Sequence, residues 1–504
     1  MAKWYRFWAR DEEAGRKQSV DNQLLDVDFF CQLSYMAAIA TSGISRSGLF
    51  DYASRLPYIS SAYFKRVSFV AKAFNHDYAE ACRIVGQATK EPQVKSFLLR
   101  FSGALSSGED IVSFLERESE VSSETYGNQY ERRLETLKKW TDAYVALIMS
   151  TAIVTVLAVV SMIIGNITPV FIVGLATLTI TVTISGVWLI YRTAPRETKN
   201  HKLSIRSREQ NIARHLSRLL LPAGVAVVAL LLATGQDLGY AMLAAAGFLL
   251  PIGIVAKIDD TKVDKRDSDI AGLLRSLGGV SQAIGSTVNE AMARLDFHSL
   301  GSLREDVNLL YTRLLAGINQ RLCWEQFVGE TGSEQVARAV RIFLDGISLG
   351  GDPERVGYDA SGFAIKISLL RAKRRLIESG MLWLTNVMHL VLASLVVFVY
   401  QILITFTTMI SEVMPDESGQ ATLAMTGLPS FGVFGGGGEN LGLLHFMVIA
   451  IVVVLSFANA MAIFATSGGH YFKLAFYLAI TLAMSGVALI AVPQFVQLLF
   501  AGFA

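Results

Sequence analysis

Polar, helix-patterned stretches alternate along this chain with long apolar runs. Between residues 24 and 140, apolar side chains recur at the three- and four-residue spacing of amphipathic helices: Phe29, Leu33, Met36 and Ala40; Tyr63, Val67, Val70 and Phe74; Val94, Phe97, Leu98, Phe101 and Leu105. The pattern returns with Ile270, Leu273, Leu274 and Leu277, then Leu303, Val307, Leu310 and Leu314, then Val336, Val340, Phe343 and Ile347. β-branched alternation is absent, so each polar stretch predicts a bundle of about six helices. Seven apolar runs separate and follow them: Ala143–Ile164, Val170–Tyr191, Leu219–Thr234, Leu238–Ala256, Met381–Ile410, Leu443–Ala465 and Leu474–Phe500. A helix of about 20 apolar residues crosses a bilayer. The fifth run makes a helix of ~45 Å against a ~30 Å hydrocarbon core, so its start should continue the helix before it.

The expected fold is all-α: a polytopic membrane protein with two repeated cytoplasmic helical bundles and about seven transmembrane helices. Bundle 1 covers 1–142, transmembrane helices 1–2 cover 143–191, and a basic linker covers 192–218. Transmembrane helices 3–4 follow over 219–256, bundle 2 over 257–382, and transmembrane helices 5–7 over 383–504 with a Gly-rich loop at 411–442.

The two bundles read as copies. At a constant offset of 242 positions, from Thr89 against Thr331 to Leu134 against Leu376, 11 of 46 positions are identical, where chance gives about 3. The identities include Gln93/Gln335, Phe101/Phe343, Gly108/Gly350, Asp110/Asp352, Arg132/Arg374 and Arg133/Arg375, and the same offset sets Gly43 on Gly285. Gly43, Gly108, Gly285 and Gly350 are expected at structural turns, with Gly108 and Gly350 closing the fifth helix of each copy. Asp352-Pro353-Glu354 reads as the cap, first-position proline and early acid that open a sixth helix.

Charge sets the orientation. All 45 Lys and Arg lie in 1–142, 192–218, 257–382 or at Lys473. The segments 165–169, 235–237, 411–442 and 499–504 hold none, and contain Asp237, Glu412, Asp416, Glu417 and Glu439. The positive-inside rule then places both bundles, the linker and the N-terminus in the cytoplasm and the C-terminus outside. Each bundle balances its charges, 19 against 19 and 17 against 17. The surplus sits in the linker, where Arg192, Arg196, Lys199, Lys202, Arg206, Arg208, Arg214 and Arg218 face only Glu197 and Glu209. It serves either as an anchor on anionic lipid or also as a docking surface for an acidic partner. Arg132, Arg133, Lys373, Arg374 and Arg375 are the next docking candidates.

Catalytic and cofactor chemistry finds no motif. There is no GxxxxGK[ST], HExxH, GxSxG or Cys/His metal spacing. Gly435–Gly438 reads as flexible loop. No Asp, Glu, Lys or Arg lies inside the spans; Asn386, His389, Asn459 and Gln494 read as interhelical hydrogen bonds. Cys31, Cys82 and Cys323 read as buried thiols in a reducing compartment. The opening MAKWYRFWAR reads not as a signal peptide but as an interfacial or solvated tail. The expectation is a non-enzymatic protein with no cofactor, metal or nucleic acid.

Two residue sets carry a family resemblance. Thr41-Ser42-Gly43-Ile44 and Ala283-Ile284-Gly285 mark the start of each copy. Ser107-Gly108-Glu109-Asp110 with Phe114-Leu115, and Gly350-Gly351-Asp352, resemble the G-E-x-L-x-x-A-L turn of the type II secretion system F-domain family, although copy two has Pro353 and Gly357 where apolar residues are usual. This family comprises the platform proteins of type IV pili, type II secretion and the archaellum. Two F domains, with four spans between and three after, look most like the archaellum and archaeal pilus platforms. The resemblance implies a dimeric platform beneath which a hexameric secretion ATPase docks, and which helps lift pilin- or archaellin-like subunits from the lipid bilayer. The alternatives are a platform of a bacterial type II secretion or Tad pilus system, a permease subunit relying on an external ATPase, and a static membrane scaffold.

Overall fold

In a computed structural model the chain is described over residues 22–164, 169–201, 205–413 and 438–500. The N-terminal tail, residues 414–437 of the Gly-rich stretch, Lys202 and the C-terminal residues 501–504 lie outside the described residues; residues 411–413 and 438–442, expected in the loop, are helical, and Gly438 opens a helix. The described residues are almost wholly helical and form no strand, apart from an isolated antiparallel bridge between Asn200 and Ser333. Contacts divide the chain into two units. One comprises 1–132, 195–208 and 261–372; the other comprises 133–194, 209–260 and 373–504.

The first unit opens with α1 (Asn22–Ala40), α2 (Arg46–Ser54), α3 (Ser61–Phe74), α4 (Tyr78–Ala88) and α5 (Pro92–Ser107). Next comes α6 (Ile111–Ile164), continuous through the unit boundary. The apolar stripes form its core: Phe29, Phe64, Phe97 and Phe101 are buried, with Phe29–Phe97 and Phe97–Phe101 ring centroids 5.6 and 5.4 Å apart. Burying each such ring contributes about 1.5–3 kcal/mol. The second polar stretch begins inside α9 (Leu238–Ile284). It continues through α10 (Val288–Ala293), a 3-10 turn (Phe297–Leu303), α11 (Arg304–Leu315), α12 (Gln320–Thr331), α13 (Glu334–Ser348) and the start of α14 (Pro353–Val413).

Helix ends follow local chemistry. Gly43, Gly108, Gly285 and Gly350 all hold positive φ, 68°, 75°, 63° and 88°, a conformation glycine adopts without steric cost. Asp110 accepts from Ser113 N (3.0 Å) at the start of α6. Asp352 accepts from Glu354 N (3.0 Å) at the start of α14, satisfying amides with no intrahelical partner. Shifted by 242 residues, the bounds of α5 fall on 334–349, beside those of α13, and the start of α6 falls on that of α14.

The two polar stretches pack together within this unit. Phe30 meets Phe363 at 5.2 Å between centroids. Arg338 on α13 lies 2.7 Å from Asp28 on α1 and 4.8 Å above the Tyr58 ring. Tyr35 donates to Asp345 at 3.0 Å. Burial holds the Asp28 carboxyl above the usual carboxylate range despite Arg338. All three cysteines are free and buried. Burial pushes the Cys31 thiol up to about 11 and raises Cys82 as well. The native protein at pH 7.5 is therefore expected to resist maleimide, with under one thiol in ten labelled in an hour and all three labelled after denaturation. Rapid labelling of Cys31 in the native state would show this core to be open.

Among the described residues, six helical segments are long and apolar enough to cross a membrane by length and composition: Val173–Thr193, Arg208–Ala233, Leu238–Ile284, Pro353–Thr405, Leu444–Ser467 and Lys473–Phe500. They belong to α7 (Pro169–Thr193), α8 (Arg208–Ala233), α9, α14, α15 (Gly438–Ser467) and α16 (Lys473–Phe500). They mark a multi-pass membrane protein. The expected first span, Ala143–Ile164, coincides with the end of α6. Glycine permits close helix approach here: a Cβ on Gly253 of α9 would sit 2.4 Å from the Phe476 backbone of α16. Helix α14 is a single helix of 61 residues, ~92 Å at ~1.5 Å per residue, so the expected fifth span does continue the preceding polar helix.

Candidate functional site: the basic residues and the linker seat

The linker residues 195–208 belong to the first unit, where they are seated against the second polar stretch. Backbone pairing sets the register: Glu334 N donates to Lys199 O (2.9 Å) beside the Asn200–Ser333 bridge. His201 Nε2 lies 3.1 Å from Gly329 O. A Cβ on Gly329 would meet Ile205 at 2.5 Å, so this seat needs glycine.

Beneath the linker lies a buried polar cluster. Arg371 of α14 donates through Nε to Glu197 (2.8 Å) and through Nη1 to Asp267 of α9 and to Gln335 of α13 (3.1 Å). Tyr130 of α6 donates to the same Glu197 carboxylate. Gln335 donates to the Asp267 and Ala364 carbonyls (3.0 and 2.8 Å), and Ser333 donates to Asp267. Lys199 pairs with Asp264 at 2.6 Å. Buried charge is tolerated because each group is both paired and hydrogen-bonded. The 242-residue offset puts Leu25 against Asp267 and Gln129 against Arg371, so this cluster has no charged counterpart in the first stretch.

The structure separates the basic candidates. Arg196 and Arg208 are exposed and Arg206 is half-buried, all in the first unit with exposed Arg132. Arg192, Lys373 and Arg375 are exposed and Arg133 and Arg214 half-buried in the second. Arg192 lies over the Trp188 ring at 5.3 Å, an interfacial pairing of cation and aromatic face. Lys199 and Arg374 do not present their charge outward. The Lys199 side chain is only 12% exposed against Asp264. Arg374 is buried, donating to Thr466 O (2.8 Å) and Ala465 O (3.2 Å) at the end of α15, where helix carbonyls lack partners. These two leave the set of docking candidates on that ground.

Sequence reasoning missed a second ionic cluster. Lys473, 2% exposed, lies 2.9 Å from Asp260 and 3.0 Å from Glu378. Glu378 also accepts from Tyr477 (2.7 Å) and lies 3.4 Å from Lys257. Lys473 therefore pairs within the fold; its lone position between two apolar runs was the signal available. Among the described residues no group of His, Cys, Asp and Glu could hold a metal ion.

No family model and no solved structure matches the chain. Two curated relatives do. One is a protein named Flagella accessory protein J from Methanocaldococcus jannaschii, 29% identical over 313 residues, covering 59% of this chain and 55% of that protein. The chain thus matches just over half of that relative's length. The other is a protein of the same name from Methanococcus voltae, 23% identical over 431 residues, covering 81% of this chain and 73% of that protein. The chain is similar to archaeal flagella accessory proteins.

Proposed function

We propose that this protein is the membrane platform of an archaellum or related archaeal pilus assembly machine, of the J-component type. The observation that carries this reading is the similarity to Flagella accessory protein J over 81% of the chain. Supporting it, α9 and α14 each run without interruption between polar, bundle-forming sequence and a stretch long and apolar enough to cross a membrane, and α6 runs on into the apolar run Ala143–Ile164. Such helices suit a protein that passes motion from cytoplasmic domains to the membrane. In this reading the two polar stretches are a duplicated F-type domain, both cytoplasmic, and the chain works as a homodimer without catalysis of its own. A hexameric secretion ATPase powers it, and its cargo is pilin- or archaellin-like subunits. The test is deletion of its gene: filaments should vanish by electron microscopy and return with the intact gene. Normal filaments in the deletion strain would refute the proposal.

Orientation has its own test. With native thiols silent, a cysteine introduced at Ser430 should label from outside with an impermeant reagent and one at Ser204 should not. Both positions lie outside the described residues. The reverse pattern would invert the topology.

Exposed charge acts mainly on encounter, through a field screened over about 8 Å at physiological salt. Reversing Arg196, Arg206 and Arg208 together to Glu should slow ATPase recruitment about tenfold at low salt, leaving the thermal midpoint within about 2 °C. Lys199→Glu should instead lower the midpoint, because it sets two carboxylates against each other at Asp264. Unchanged recruitment in the triple variant would make the linker an anchor only, and move the search to Arg132, Arg133, Lys373 and Arg375.

A further inference from the structure

The apolar runs contain no Asp, Glu, Lys or Arg, and four helices of the second unit bring several of their uncharged polar side chains into one buried chain. Tyr144 of α6 donates to Asn459 Oδ1 of α15 at 2.6 Å. Asn459 Nδ2 lies 3.0 Å from His389 Nδ1 of α14. His389 Nε2 lies 3.0 Å from Thr481 O and 2.9 Å from Ser485 Oγ of α16, and Ser485 meets Ser456 of α15 at 2.7 Å. Tyr144 is 1% exposed; His389, Asn459, Ser456, Thr481 and Ser485 are wholly buried. Gly186 of α7 makes room for the tyrosine: a Cβ there would sit 2.6 Å from its ring.

One donor–acceptor assignment satisfies the whole chain. The tyrosine hydroxyl donates to the Asn459 oxygen, so the amide nitrogen faces His389 and donates to Nδ1. Nε2 then carries the proton and donates to the Thr481 carbonyl, which can only accept. Each group has one role, and the histidine is the neutral Nε2–H tautomer.

The same two helices, α6 and α14, meet a shared polar group in the first unit. There Glu197 accepts from Tyr130 of α6 and Arg371 of α14.

We propose that Glu197 and Asn459 act as two polar staples that hold α6 and α14 in fixed rotational and axial register, making the two helices that leave the two polar stretches turn as a pair. Hydrogen bonding suits this task. Apolar side chains in lipid can slide past one another, whereas separating Asn459 from its partners leaves several buried polar groups unsatisfied at once.

The test uses the full chain in lipid nanodiscs, with spin labels at exposed Met149 of α6 and exposed Val391 of α14. Pulsed electron resonance should give one narrow distance distribution. Asn459→Leu, which removes both central bonds, should at least double its width, and Tyr144→Phe should widen it less. A second label pair at exposed Val121 and Leu369 should widen in Glu197→Leu and stay narrow in Asn459→Leu. If Asn459→Leu fails to fold, Tyr144→Phe decides alone. Wild-type width in every folded variant would overturn the proposal and leave the chain as packing. The measurement needs neither ATPase nor filament subunit, so its failure is distinguishable from failure of the functional reading.

Discussion

Replacing Arg371 with leucine is expected to be among the most damaging single changes in the chain. The guanidinium is buried and holds Glu197, Asp267 and Gln335 at once. Leucine leaves the Asp267 carboxylate, itself 2% exposed, facing an apolar neighbour, and leaves Glu197 with Tyr130. Removing one partner of a buried pair costs about 3–5 kcal/mol, because the remaining charge is uncompensated. The apparent thermal midpoint of the nanodisc-embedded protein should fall by several degrees, and the 195–208 linker should become sensitive to limited proteolysis. Replacing Arg371 and Asp267 together with apolar residues should recover part of the loss, since well-packed apolar pairs often match buried ion pairs in stability. A double variant as unstable as Arg371→Leu would place the cost in lost packing volume instead.

The second large effect is expected from one methyl group. A Cβ on Gly278 of α9 would lie 2.4 Å from Pro353 O and 3.1 Å from the Gly357 Cα of α14. A Cβ on Gly357 would in turn lie 2.9 Å from Leu274 O. Both clashes are with backbone, which cannot rotate away, so Gly278→Ala should force α9 and α14 apart. Overpacking of this kind costs about 1–3 kcal/mol or more, against about 1 kcal/mol gained from alanine's helix propensity. Gly272, six residues earlier on α9, meets nothing within 4 Å. Gly272→Ala should therefore hold or raise the thermal midpoint, while Gly278→Ala and Gly357→Ala lower it. Equal effects at Gly272 and Gly278 would contradict the close crossing.

Much of the architecture is written locally in the sequence. The stripes through Phe29, Phe97 and Phe343 are core because three- and four-residue spacing stacks side chains on one helix face. Gly108 and Gly350 end helices because little else adopts positive φ cheaply, and Asp352 with Pro353 starts one. Of the polar groups expected to bond between helices within the apolar runs, His389 and Asn459 do so across 70 positions, whereas the Asn386 Oδ1 is buried without a hydrogen-bond partner among the described residues.

Other features carry no local signal. Lys199 counts toward a linker surplus until Asp264, far along the chain, is found beside it. Arg371 and Asp267 stand 104 positions apart, each looking like one more charge on a solvated helix. Gly357 appears in sequence only as a departure from the F-domain pattern. Its reason, the close approach of Gly278, is tertiary. The strap of residues 195–208 was legible as a charged linker, but its seat on α12 and α13 depends on backbone groups at Gly329 and Glu334 that composition does not distinguish.

The claim that a partner ATPase drives this protein is tested most directly by binding. The full chain in nanodiscs would be mixed with the secretion ATPase encoded by the same host's filament system, and association followed by mass photometry at rising salt. A complex is expected at low salt that weakens as salt screens the exposed arginines, and that is weaker throughout for the Arg196, Arg206 and Arg208 charge reversal. Absence of any complex for the intact protein, with or without nucleotide and at every salt concentration, would contradict it.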